Sequence, residues 1–339
     1  MKIDPLKFDK TLKEASMLQR LYARITIVFS ILFLCSFKPG PPTAKKEPLK
    51  TVIIDAGHGL PDAGAGGKYS TESQITVALA LKLAQRLKEV LPNTKILMTR
   101  TDENLPAGYS NKDEANRYRA NFANENHGDL FIAIHVNSME DHWARRIEGY
   151  RDETYYVTVG KGRKKHKVEK VRTVAIYKSY KLPCERHGTE TYIWAVNKYD
   201  QKQRSVGNRD DDNQFGEHAD SSLFYNDSPE AMILASLRTK KFFDQSLNIA
   251  NLVEEEFKKE GRNSYGVKQR NHMGIWVLQA TNMPSILVET GFICNPDDED
   301  YLNSEKGQNE ITYAIMRAVL RYKQLLETNS SAITDSPGK

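Results

Sequence analysis

The sequence predicts an α/β fold: a mostly parallel, twisted sheet flanked by helices on both faces, in a single domain with a long insertion. Three observations predict it. Short apolar runs at Thr51–Ile54, Lys95–Arg100 and Asp129–Ser138 read as strands, and the first and third are apolar enough to be covered on both faces, as in a parallel sheet. Two segments of helical period separate them, and strand–helix–strand order builds a doubly wound sheet. After a long polar interruption, the runs Gly188–Val196 and Pro284–Phe292 supply further strands.

Each element has a local cause. Residues 1–38 are expected to be a signal peptide or membrane anchor. Ile25–Phe37 is thirteen residues without a charge, set between Arg20, Arg24 and Lys38, and a comfortable membrane span needs roughly 17–25. Met17 is an alternative start. A lipid on Cys35 is the weaker reading, because Leu34 stands where a small residue belongs. Export to the periplasm or cell envelope follows, with membrane contact only through this segment if it stays uncleaved. Residues 39–50, with four prolines, read as a linker. The domain proper is expected over 51–327, with insertions at about 140–187 and 200–235 and a disordered tail at 328–339.

Within the domain, Thr71 and Gln74 form a capping box ahead of a helix whose apolar positions Ile75, Leu79, Leu83 and Leu87 share one face. Pro92 stops it. Asn111–Asn126 reads as a second, polar helix. Later segments read as a helix over Leu237–Lys259, strands at Gly274–Ala280 and Pro284–Phe292, and a closing helix over Glu310–Leu326. The net charge is +5. Residues 1–40 hold +4 of it, so the basic pI is mostly a property of the leader and no nucleic-acid partner is expected. Cys184 and Cys294 could pair in an oxidising compartment, and three scattered cysteines make no thiolate metal site.

Four residues stand where chemistry is expected. His58 follows the first strand, His135 ends the third, Glu289 ends the apolar run Pro284–Val288, and Glu72 opens the first helix. Ligands of open α/β sheets bind outside the carboxyl ends of the strands. Two imidazoles and one carboxylate suit a single Zn2+ with its fourth position open to water. A second carboxylate is then needed to move the proton from water to the leaving amine. Of Glu72 and Glu289, one should ligate and the other act as base; spacing alone leaves the choice open.

The chain here resembles the zinc-dependent N-acetylmuramoyl-L-alanine amidases with an α/β amidase domain. The matching segments are "IIDAGHGLPDAGAGG" (Ile53–Gly67), Glu72, "MTRTD" (Met98–Asp102), "NRYRANFAN" (Asn116–Asn124), "DLFIAIHVNS" (Asp129–Ser138), "GTETYIW" (Gly188–Trp194) and "MPSILVETGFICNPDDEDYL" (Met283–Leu302). The resemblance implies His58, Glu72 and His135 as zinc ligands and Glu289 as the catalytic carboxylate. The substrate it implies is the amide between N-acetylmuramic acid and L-alanine in peptidoglycan. Asn137 and Arg100 fall on motif positions and are expected to bind substrate, with support of the scaffold as the alternative role. The chain departs from the family at Leu60, where a second glycine is usual, and in the length of the segment after His135.

The insertions allow further expectations. Nine Lys/Arg face one Glu between Lys161 and Lys181, either as a solvated β-hairpin or as a surface for anionic wall polymer or membrane. Some members of the resembled family cover the zinc with a helix that a partner protein moves. By position, 210–228 could hold such a lid, with Glu217 or His218 as the occluding ligand and an activator protein as partner. Two other functions use the same pattern: a zinc carboxypeptidase or endopeptidase within the stem peptide, and a non-catalytic wall-binding regulator.

Overall fold

A computed structural model describes residues 48–207, 229–272 and 274–334. The expected leader, most of the linker and the lid segment 210–228 lie outside the described residues. The strands are β1 (Thr51–Ala56), β2 (Lys95–Met98), β3 (Leu130–Asn137), β4 (Trp143–Val159), β5 (His166–Lys181), β6 (Thr189–Ile193), β7 (Ser264–Gln269) and β8 (Ser285–Phe292). The α-helices are α1 (Glu72–Val90), α2 (Lys112–Glu125), α3 (Tyr199–Gly207), α4 (Pro229–Lys259), α5 (Trp276–Ala280), α6 (Pro296–Asn303) and α7 (Glu305–Thr334).

Six strands form one sheet in the order β2-β1-β3-β8-β6-β7. The pairs β1–β2, β1–β3, β3–β8 and β6–β7 are parallel, and β6 runs antiparallel to β8. This reversal has a consequence for the site. The carboxyl ends of β1, β3 and β8 share an edge with the amino end of β6, so Glu190 pairs in register with Glu289.

Alternation along the central strands fills two layers, as both-face coverage predicts. Val52, Ile54, Ile132, Ile134, Ile286 and Val288 point into the larger core with α1, α4 and α7. Ile53, Phe131, Ala133 and Leu287 point the other way, toward Ala123 of α2 and Leu278 of α5. Each fully buried aliphatic or aromatic side chain stabilises by about 1.5–3 kcal/mol. Helix α1 has both halves of its capping box. Asn111 caps α2 by accepting from the Asp113 and Glu114 amides at 2.8 and 3.2 Å, a feature worth about 1 kcal/mol.

Three boundaries differ from expectation. Gly274–Ala280 is not a strand: Trp276–Ala280 is a one-turn helix, with Ile275 and Leu278, three apart, both buried in the second layer. Short apolar runs do not distinguish the two states by period. The strand in this region is β7, half-buried along its whole length. Helix α4 begins at Pro229 rather than Leu237, with proline at the first helical position, where its missing N–H costs nothing. Helix α7 continues to Thr334, past the expected boundary at 327, because no Gly or Pro intervenes before Pro337.

The segment after β3 is a hairpin of β4 and β5, paired from Trp143↔Lys181 to Val159↔His166 and joined to no other strand among the described residues. A disulfide joins Cys184 at its root to Cys294 just beyond β8. No helix among the described residues is long and apolar enough to cross a membrane.

Candidate active site

Loop 57–71 carries the chain from β1 to α1 and folds back on itself. The Gly57 amide donates to Ile134 O at 3.0 Å, and the Glu72 amide donates to Ala65 O at 2.8 Å. His58 sits at φ +60°, a left-handed conformation that non-glycine residues adopt mainly where surroundings enforce it. Its Nδ1 lies 2.9 Å from Asp62 Oδ2, and its Nε2 lies 3.2 Å from Glu72 Oε2.

Glu72 is the hub. Its Oε1 lies 2.9 Å from His135 Nδ1 and accepts the Val136 amide at 3.0 Å. Its Oε2 accepts the Ala65 amide at 2.9 Å. The two imidazoles meet edge to face, 5.1 Å between centroids. Donor atoms of His58, Glu72 and His135 all lie within 4.8 Å of one another. The packing leaves no room for change. A Cβ on Gly57 would fall 2.4 Å from the His135 ring, and one on Gly64 would fall 2.6 Å from Glu72 Oε2.

Electrostatics follow from this arrangement. Burial alone would raise the Glu72 carboxyl, but hydrogen bonds and charge from His135 and His58 hold it well below the usual carboxylate range. Burial opposes protonation of His58, yet Glu72 and Asp62 raise its pKa. Glu289 goes the other way. It is buried, its Oε2 has no hydrogen-bond partner, and burial with the nearby charges of Glu72 and Glu190 pushes its pKa well up, against an opposing pull from Arg270. A carboxyl so held is matched to proton transfer rather than to charge pairing.

The cleft, about 320 Å3, is lined by His58, Glu72, His135, Asn137 and Glu289 together with Lys112, Arg119 and Arg270. Asn137 reaches it, though its amide already donates to Glu190 Oε1 at 2.6 Å. Arg100 is not among the residues that line it. It is buried beneath the loop, where its guanidinium donates to the Ala56, Gly57 and Ser73 carbonyls at 2.7–2.9 Å. Burial, with repulsion from Arg119, lowers its pKa to about 10.

Several contributors escaped the sequence reading. Asp62 orients His58, and its spacing of four residues was the available signal. Arg119, inside "NRYRANFAN", pairs with Asp55 and bonds the Ala56 and His58 carbonyls. Glu190, inside "GTETYIW", is buried and binds Lys268, Arg186 at 3.1 Å and Tyr192 at 2.7 Å. These hold its pKa down against burial, so it stays an anion beside Glu289.

Two imidazoles and a carboxylate converge at the carboxyl edge of an α/β sheet beside a second, buried carboxyl, a set of groups that could hold a metal ion and is typical of hydrolases. Sequence comparison agrees: the N-acetylmuramoyl-L-alanine amidase family model matches residues 52–321. The chain belongs to that family and is a peptidoglycan amidase. A putative N-acetylmuramoyl-L-alanine amidase of Buchnera aphidicola is 26% identical over 272 residues, 80% of this chain and 95% of that one. The Escherichia coli amidase AmiC is 25% identical over 84% of this chain and 55% of its own length. The fold is also that of the CwlD amidase of Clostridioides difficile, solved with the GerS lipoprotein. That match has a TM-score of 0.50 and 20% identity, covering 81% of this chain and 99% of that one.

Proposed function

We propose that the amidase is a one-zinc enzyme, with His58, Glu72 and His135 as ligands and Glu289 as the general base and acid. The observation that carries this reading is the shared approach of the three donor groups next to a buried carboxyl with an unpaired oxygen. The donor set suits zinc, being two imidazoles and one carboxylate. Two of the three ligands are held by a further group: Asp62 on His58, and the Ala65 and Val136 amides on Glu72. Such outer contacts fix ligand orientation.

Zinc bound there would supply Lewis acidity, lowering the pKa of a water toward about 7 and polarising the scissile carbonyl. The rest falls to the protein. Glu289, as a carboxylate, takes the proton from the attacking water on its free oxygen and delivers it to the nitrogen of L-alanine as the amide bond breaks. Glu190 keeps a fixed negative charge beside it, which raises the proton affinity of Glu289 and so favours its taking the proton from water. Asn137, anchored on Glu190, and Arg270 line the same cleft, where they can orient the stem peptide.

Export is supported by the Cys184–Cys294 disulfide, which persists in oxidising compartments, and by the location of peptidoglycan outside the cytoplasm. An activator protein is a further part of the proposal. The related CwlD is complexed with a lipoprotein.

The deciding experiment treats purified peptidoglycan with native, chelator-stripped and zinc-restored enzyme and analyses the products. Expected are free lactyl groups and new L-alanine amines, lost on stripping and regained with zinc. Activity that survives complete metal removal would eliminate the one-zinc reading.

A further inference from the structure

The β4–β5 arm is longer than any structural duty requires. At about 3.4 Å per residue its sixteen or so paired positions extend about 50 Å, and a two-stranded hairpin gains little stability by itself. Register and alternation sort its side chains onto two faces. On one of them Trp143, Ile147, Tyr177, Tyr150, Val171 and Tyr156 follow one another along the arm, each between 49% and 67% exposed. The register pair Asp152↔Thr173 divides them into a root cluster from Trp143 to Tyr150 and an outer pair, Val171 and Tyr156, and exposed apolar clusters of this kind mark interaction sites.

Charge is segregated on the same arm. From Trp143 to Lys181 twelve Lys and Arg stand against four acids, a net +8 in a chain whose total is +5. Near the root and middle, Glu148, Glu153 and Asp141 pair with Lys178, Arg172 and Lys181. At the tip, Lys161, Arg163, Lys164, Lys165 and Lys167 have no acidic partner among the described residues, and Gly160–Lys167 contains no apolar side chain.

We propose that this arm is a second binding surface for the substrate polymer, its aromatic face stacking on the sugar rings of a glycan strand and its basic tip pairing with carboxylates. The proposal rests on peptidoglycan being the substrate. Pyranose rings present apolar C–H faces that lie flat on aromatic rings, and same-face positions along a strand recur about every 7 Å. A row of rings along an extended arm therefore fits a linear polymer of rings. The polymer is also anionic: stem peptides carry carboxylates, and each amide cleaved leaves a lactyl carboxylate on the glycan. A bilayer fits less well, because the tip that would meet it has charge but nothing apolar to insert. The arm also leads to the chemistry. Its root follows His135, Asn137 and Ser138, which line the cleft, and the disulfide at Cys184 fixes that root to the end of β8.

The test compares the full chain with Tyr150→Ser/Tyr156→Ser/Tyr177→Ser and with Lys164→Gln/Lys165→Gln/Lys167→Gln. Each is pelleted with peptidoglycan sacculi freed of other polymers and with phosphatidylglycerol vesicles, and each is assayed on a soluble muramoyl-peptide too short to reach the arm. The tyrosine variant should bind sacculi about tenfold more weakly. The lysine variant should lose binding mainly at low salt, since exposed charges are screened. Both should turn over the soluble substrate normally, which also shows that the domain is folded. Unchanged pelleting of both variants would overturn the proposal. So would wild-type binding to vesicles but not to sacculi, or a dimer that the tyrosine variant converts to monomer. Wild-type enzyme that pellets with sacculi yet cleaves no muramoyl-peptide would instead refute the amidase mechanism and leave the arm standing.

Discussion

His135 and Glu289 are register partners on the adjacent parallel strands β3 and β8, so the sheet itself sets the separation between an imidazole of the metal-ready cluster and the unpaired carboxyl. Removing that carboxyl should therefore leave the cluster intact. Glu289→Gln keeps the shape and removes the proton carrier. Turnover on peptidoglycan should fall about 10²–10⁴-fold, while zinc content by elemental analysis stays at the wild-type value. Loss of zinc together with activity would make Glu289 a ligand instead.

Asp62 accepts from His58 and touches no other predicted ligand. Its role is to fix the imidazole, so Asp62→Asn should weaken zinc affinity about 10–100-fold. Chelator competition measures this directly, and saturating zinc should restore most of the turnover. An affinity equal to that of wild type would mean that the strained backbone at His58 suffices to aim the ring.

Much of this architecture was legible in the residues. β1 and β3 announced themselves as apolar runs because both faces are covered, and His58, Glu72, His135 and Glu289 could be placed at one edge from strand order. The edge strand β7 was not legible. Its residues are half-buried on both sides, so no alternation marks it, while the apolar run beside it is a helical turn. Arg100 and Arg119 show a second limit. Both are arginines near motif histidines, and sequence says nothing about which direction a guanidinium takes. One turns under the loop onto carbonyls; the other also reaches the cleft wall. Glu190 depended on β6 being antiparallel to β8, a topological fact with no local signature.

The burial of Arg100 separates stability from substrate binding. Arg100→Met would remove the charged donor shared by the Ala56, Gly57 and Ser73 carbonyls, leaving them only Arg119 and the Thr76 hydroxyl as side-chain partners. The expected loss is about 2–4 kcal/mol in urea denaturation, with KM for a soluble muramoyl-peptide unchanged in the folded fraction. A raised KM at undiminished stability would return Arg100 to the cleft.

Glu256 on α4 ties that helix to α7. It accepts from Arg317 Nε and Arg321 Nη1, each at 2.8 Å, and from Lys259 Nζ at 2.6 Å. Burial would raise its pKa, but these cations bring it from 4.5 down to about 2. A carboxyl depressed on folding stabilises the native state fully above its unfolded pKa and progressively less as pH falls through the folded one. Glu256→Gln should therefore cost about 2 kcal/mol near neutrality, allowing for solvent screening at the exposed arginines. The gap between variant and wild type should narrow as pH drops from 4.5 toward about 2. Urea midpoints collected across that window decide it, because a gap independent of pH would assign the loss to packing rather than to ionisation.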